Sequence, residues 1–283
     1  MLLRRFGYAF GILLLLAAPG LAQQPARDFF SAVDGPTSGA SVPVGGYAKG
    51  CLAGAVQLAT DGPGWQAMRL SRDRRWGAPE LVNYIAALAQ SSSRDGWAGL
   101  LVGDMGQPRG GPTKSGHASH QIGLDVDLWL QPMPDHTLSG AERENLSAVS
   151  VLKQGTRYVD PQRFGEAQRL LIYRAAQLPG VARIFVAPGI KKSLCETKWR
   201  DSSFLNKVRP WYGHDDHIHV RLACPIGALH CLDQAPVPPG DGCGEELDYW
   251  FTDAPYKPSA SPPAGPLTMA DLPKACQTVL DMK

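Results

Sequence analysis

Six cysteines stand in this 283-residue chain behind a stretch that reads as an export signal, and the combination restricts the folds open to it. Met1 to Arg5 carry two positive charges, Phe6 to Ala18 form a short apolar run, and Gly20-Leu21-Ala22 supply the small residues that signal peptidase accepts. Residues 1–22 are therefore expected to be a signal peptide, cleaved after Ala22. The apolar run is about a dozen residues, short of the roughly 20 that a helix needs to span a bilayer. No cysteine follows the cleavage site to accept lipid, and no second stretch is long and apolar enough to cross a membrane. An exported chain meets an oxidising compartment, so Cys51, Cys195, Cys224, Cys231, Cys243 and Cys276 are expected in structural disulfides. No C-x-x-C pair supports a zinc knuckle instead. Six thiols allow fifteen pairings and spacing does not choose among them, although Cys224 and Cys231 are close enough to close a local loop.

The 28 Lys+Arg nearly balance 26 Asp+Glu, which leaves no electrostatic footprint for nucleic acid or anionic lipid. With 31 Gly and 24 Pro and no collagen-like period, many turns and long loops are expected. Residues 23–45, polar and Gly-rich, read as an N-terminal arm that docks on the body or stays partly mobile. Leu81, Tyr84, Ile85 and Leu88 recur at helical spacing behind Pro79, which predicts an amphipathic helix over Ala78 to Gln90. Ser139-Gly140-Ala141-Glu142 is a capping box opening another helix, and a third over Phe164 to Leu178 stops at Pro179-Gly180. Leu100 to Val102 and Ile184 to Val186 read as short strands. The Pro-rich tail after Ala235 would look like a linker but for Cys243 and Cys276, which are expected to staple it down. No repeat or composition shift demands a second domain, so residues 46–283 are taken as one α+β domain.

Five of the seven histidines fall in two short windows, SGHASHQIGLDVDLWL with His117 and His120, and WYGHDDHIHVRL with His214, His217 and His219. His136 and His230 stand alone, as structural histidines usually do. Imidazoles mixed with carboxylates suit zinc, whereas calcium or magnesium asks for oxygen donors alone. Leu124 to Leu130 alternates with period two, which puts Asp125, Asp127 and Trp129 on one strand face. His120 stands seven residues before Asp127, about 23 Å along a continuous strand, while zinc ligand atoms lie within about 3.5 Å of each other. The chain must therefore bend, and Gly123 is the natural pivot. His217 and His219 flank Ile218 and share one face of a second strand. On these grounds alone Asp125 or His217 are as eligible for metal as Asp127 or His219.

These windows resemble the penicillin-insensitive murein endopeptidases, in the wider group of lysostaphin, D-Ala-D-Ala metallopeptidases and hedgehog signalling domains. The resemblance runs from about Cys51 to Cys276 through H-x6-D (His120 to Asp127), H-x-H (His217-Ile218-His219), GDMGQPRGG (Gly103 to Gly111), VRPW (Val208 to Trp211) and the six cysteines. It implies a small, mostly antiparallel sheet carrying a zinc site, flanked by helices and long disulfide-stapled loops. It implies one zinc held by His120, Asp127 and His219, with His217 as catalytic base and His117, His214 and Asp125 lining the site or supplying further ligands. No His pair stands between Asn145 and Asp160 to hold a second metal. The implied disulfides join Cys51 to Cys276, Cys195 to Cys243 and Cys224 to Cys231. The implied reaction is hydrolysis of D-alanyl-meso-diaminopimelyl cross-links of peptidoglycan in the periplasm, without an acyl-enzyme.

Lys114, Lys207, Arg209 and Arg221 are candidates for a stem-peptide carboxylate, and Trp129 and Trp211 for substrate packing. Ser150-Val151-Leu152-Lys153 and Lys114-Ser115-Gly116 imitate two penicillin-binding elements, but in the wrong order and without S-x-N between them. Gly110 to Ser115 brushes against a phosphate loop, yet Thr113 stands where glycine is required. The competing reading from another class is a zinc-retaining module that grips wall peptide without cleaving it. A complete base and ligand set favours the enzyme.

Overall fold

The computed structural model describes residues 24–114, 117–258 and 265–282; the expected signal peptide lies outside them, as do Ser115 and Gly116 of the K-[ST]-G imitation. At its centre the strand Asp125–Trp129 pairs antiparallel with His217–Leu222. His217–Leu222 pairs antiparallel with Val181–Val186 on its other side, and Val208–Pro210 runs parallel at the edge. In the opposite direction Leu100–Val102 is antiparallel to Asp125–Trp129, followed by Trp65–Ala67 and the two-residue strand Asp61–Gly62. The result is a mostly antiparallel seven-stranded sheet, as expected for the α+β class.

Alternation makes the two faces of this sheet chemically opposite. Val126, Leu128, Ile184, Val186, Val208, Ile218 and Val220 are buried together on one face. Helices Pro79–Ser93 and Glu166–Gln177 cover that face with Leu81, Ile85, Leu88, Leu171 and Ile172, each at most 1% exposed. Burying side chains of this size contributes about 1.5–3 kcal/mol each before entropy is charged. The Tyr84 hydroxyl donates to the Ala175 carbonyl at 3.1 Å and fixes one helix against the other. The capping box at Ser139 is formed, opening the helix Gly140–Asn145.

The segment before Gly46 is docked. Helix Ala26–Phe30 buries Phe30 completely, and Val42–Gly46 forms a hairpin with Lys49–Ala53. These pack with Leu272, Cys276 and Val279 in a satellite core, tied through the Cys51–Cys276 disulfide to the last helix, Ala275–Asp281. Cys195–Cys243 and Cys224–Cys231 complete the set, and no cysteine is free. Among the described residues no helix is long and apolar enough to cross a membrane.

Gly123 turns the chain into the central strand at φ +71°, where a β-carbon would lie 2.4 Å from Leu52 Cδ2 and 3.0 Å from the Ala78 nitrogen. Gly155 has the same φ with nothing within 4 Å. Gly155→Ala should therefore cost only the left-handed backbone term, about 1–2 kcal/mol. Gly123→Ala should add about 1–3 kcal/mol of overpacking, read as a further loss of roughly 2–12 °C in thermal midpoint. Equal midpoints for the two variants would show that the turn has room to relax.

Candidate metal centre

The antiparallel register sets His219 directly opposite Asp127, His217 opposite Trp129 and Arg221 opposite Asp125. All six therefore project from the face that the helices leave open. His120 reaches the same place from the preceding loop, with φ +67°. A left-handed histidine costs about 1–2 kcal/mol, and its amide donates to Asp125 Oδ2 at 3.0 Å, which holds the turn.

Donor atoms converge on the Asp127 carboxylate. His219 Nδ1 lies 3.2 Å and His120 Nε2 3.4 Å from Asp127 Oδ1, while His117 Nε2 lies 3.0 Å from Oδ2. One ligand atom from each of His117, His120, Asp127 and His219 can be chosen so that all four lie within 4.8 Å of one another. Eight buried side-chain polar atoms lack a hydrogen-bond partner among the described residues, and four of them are here: His120 Nδ1 and Nε2, Asp127 Oδ1 and His217 Nε2. Buried donors and acceptors are otherwise almost always satisfied, so this concentration marks a place built for something else. Imidazoles with one carboxylate fit a single zinc ion.

The surroundings fix tautomers. Asp125 Oδ1 lies 3.0 Å from His219 Nε2, which places a proton on that nitrogen and turns Nδ1 toward Asp127. Asp125 also accepts from Arg221 Nε at 2.8 Å and Nη2 at 3.3 Å. Burial opposes its ionisation, yet Arg221 and His219 hold its pKa well below the usual carboxylate range. His217 Nδ1 lies 2.5 Å from Asp216 Oδ1, so Nε2 is left as the free nitrogen, 3.7 Å from Asp127 Oδ1. Burial opposes the charge of His217, but Asp127 and Asp216 raise its pKa above the ordinary value. His214 sits behind, its ring 5.1 Å from that of His217, with Nδ1 2.5 Å from the Tyr212 carbonyl. Burial, reinforced by His219 and His217, lowers its pKa to about 3 and keeps it neutral.

The other sequence candidates separate. Lys207 donates to the Ala176 carbonyl, Arg221 is committed to Asp125 and Gln234, and Lys114 borders a different hollow beside Phe30. Arg209 and Trp211 line a cavity next to the metal donors, Arg209 buried and Trp211 half exposed. Trp129 is buried and lines a second cavity on the other side. Residues that sequence reasoning passed over are Asp216 as the support of His217, and Arg183, Glu246 and Trp250 in the first cavity. Asp216 adjoins His217 in the chain, and Arg183 shares the alternation of Phe185, so both had a signal.

Comparison with known proteins agrees with this geometry. The family model of the penicillin-insensitive murein endopeptidases matches residues 43–281. A protein of that name from Klebsiella pneumoniae is 42% identical over 271 residues, 95% of this chain and 96% of its own. One from Yersinia enterocolitica is 41% identical over 272 residues, covering 96% of each chain. One from Haemophilus influenzae is 42% identical over 243 residues, 86% of this chain and 84% of its own. With its donor cluster inside the matched region, the chain belongs to the penicillin-insensitive murein endopeptidase family.

Proposed function

We propose that this protein is a periplasmic zinc endopeptidase that hydrolyses D-alanyl-meso-diaminopimelyl cross-links of peptidoglycan. The observation that carries the proposal is the convergence of His120 Nε2, His219 Nδ1 and Asp127 Oδ1 beside a third imidazole, that of His217, whose free nitrogen faces them. The family match supports murein as substrate, and the three disulfides together with the expected signal peptide support an oxidising compartment outside the cytoplasm.

His120, Asp127 and His219 hold the metal in this reading. His117 is less buried than they are and faces the other oxygen of Asp127, which suits it to the rim. A zinc held by these three groups would supply a Lewis acid for a peptide carbonyl and would lower the pKa of a water to about 7. His217 Nε2 is the proton acceptor: its Nδ1 proton is held by Asp216, so only Nε2 is available, and it faces the ligands. As the peptide breaks, the same nitrogen returns the proton to the leaving amine. Asp125 keeps the proton of His219 on Nε2 and so preserves Nδ1 as a donor to the metal. A module that only grips peptide has no use for a supported base at this position. Ser150 offers no competing nucleophile, because its Oγ accepts from the Leu152 amide in a turn.

Chelation should abolish cleavage of purified muropeptide dimers, and added zinc should restore it. His217→Ala should keep stoichiometric zinc while turnover falls roughly 10²–10⁴-fold; loss of the metal in that variant would identify His217 as a ligand. Asp125→Asn should weaken zinc roughly 10–100-fold in a competitive chelator titration, and unchanged affinity would remove it from the support of His219.

Zinc affinity should also depend on pH. Burial opposes the charge of His219, yet Asp125 and Asp127 raise its pKa to about 9, so at neutral pH the imidazole carries a proton that metal must displace. The sign follows: affinity rises with pH by roughly tenfold per unit up to about pH 9, and binding at pH 7.5 releases about one proton from this group. Calorimetry in buffers of different ionisation enthalpy measures that release, and no proton release would contradict the assignment of His219.

A further inference from the structure

Two cavities meet at the metal donors. The smaller, of about 330 Å³, is bordered by Asp127, Trp129 and His217; the larger, of about 520 Å³, opens past His117 and His219 toward Arg183, Arg209 and Trp250. Strand register places the larger one relative to the metal. Arg209 is paired with Phe185, Phe185 with His219 and His219 with Asp127, so these four form one row across four adjacent strands on the same face. Arg209 is two strands from His219, roughly 10 Å between backbones, a gap that an arginine side chain and a substrate group close between them. Arg183 stands in the neighbouring row, opposite Arg221.

The charges along this wall do not balance. Arg221 is committed to Asp125 and Gln234. Arg183 donates only to the Ala235 carbonyl among the described residues. Arg209 is 6% exposed and is paired with Glu246, a half-exposed carboxylate on the short helix Glu245–Tyr249, while its Nη1 has no hydrogen-bond partner among the described residues. Three guanidinium groups thus meet two carboxylates. A buried guanidinium with an unmade bond lowers stability, a cost that the pairing with Glu246 offsets only in part.

We propose that the larger cavity is a subsite for a carboxylate of the substrate, with Arg209 as its specificity-determining residue and Arg183 supporting it from the next row. The proposal rests on the murein reading above and names what the site selects. In a D-alanyl-diaminopimelyl cross-link, the carbon bearing the scissile nitrogen also bears a free carboxylate, whereas a lysine cross-link has hydrogen there. That carboxylate stays a fixed short distance from the reacting carbonyl, on the scale that the row from His219 to Arg209 provides. Guanidinium binds carboxylate through two parallel bonds, and Glu246 shows that Arg209 accepts this group. Trp211 and Trp250, which also line the cavity, give the aliphatic chain of the residue an apolar surface.

The test uses the zinc-loaded protein and two muropeptide dimers that differ only in whether that diaminopimelyl carboxylate is free or amidated. The wild type should cleave the free acid with kcat/KM roughly 10–100-fold higher, the size of one charge-assisted pair, carried mainly by KM. Arg209→Met should remove most of this preference by slowing the free acid far more than the amide, and stoichiometric zinc in the purified variant shows that it is folded. Arg183→Met, which leaves the buried Arg209 contact in place, should narrow the preference roughly 1.5- to 5-fold by the same route. Equal cleavage of both dimers by the wild type overturns the subsite while leaving the murein reading standing, as does an equal loss on both dimers in both variants. Cleavage of neither dimer overturns the murein reading and the subsite with it.

Discussion

Asp125 is the group on which the metal centre is built. Its carboxylate accepts from the His120 amide, His219 Nε2, and Arg221 Nε and Nη2, so one buried anion joins the loop that carries one imidazole to the strand that carries another. Arg221 is its direct partner across the strand pair, and His219 sits on the diagonal. Slipping the pair by one residue would turn His217, His219 and Arg221 into the aliphatic core and bring Ile218 and Val220 to the open face. The apolar face thus fixes register, and the Asp125 contacts use that register to orient imidazoles.

Such a network is poor evidence for stability, because buried ion pairs often do no better than the apolar groups that would replace them. Its effect is positional. With a proton of His219 held on Nε2 and one of His217 on Nδ1, each ring turns its other nitrogen toward Asp127. His120 has no such support, since neither of its ring nitrogens has a hydrogen-bond partner among the described residues, and its orientation rests on the left-handed turn and the packing around it. The site therefore combines one imidazole fixed by hydrogen bonds with one fixed by backbone geometry.

Period-two alternation in Leu124 to Leu130 and in His217 to Val220 made the two polar strand faces legible, because those strands lie beside each other with one face in the core. The need for a bend at Gly123 was legible from chain length alone, and the turn is there at φ +71°. The helix expected over Ala78 to Gln90 runs Pro79–Ser93, since three serines at its end find i−3 carbonyl acceptors and prolong it. The left-handed conformation of His120 was not legible: it depends on Asp125 accepting the amide, a contact made only after the turn has closed. The different settings of His219 and His217 were closed to spacing for a similar reason. Both share a face, and what separates them is that Asp125 lies behind one and Asp216 behind the other. Asp61–Gly62 and Trp65–Ala67 are too short to show a period, so the far edge of the sheet could not be drawn in advance.

The stapled tail shows how a Pro-rich segment comes to form one wall of a site. Lys191 and Cys195 are four residues apart on the helix Pro188–Glu196, hence on one face of it. Lys191 is fully buried and donates to the Leu205 and Asp241 carbonyls at 2.7 and 2.5 Å, while Cys195 is bonded to Cys243. Burial, with Arg209 adding to it, lowers the Lys191 pKa to about 7. Two anchors on one helix face thus grip the tail on either side of Gly242. That residue has φ +66°, and a β-carbon there would come within 2.7 Å of Arg209 Nη1. Only glycine lets the tail close so tightly over the guanidinium, and the same closure brings Glu246 and Trp250 to the cavity edge. A segment without regular structure of its own is in this way set against the central sheet by one ammonium group, one disulfide and one missing side chain.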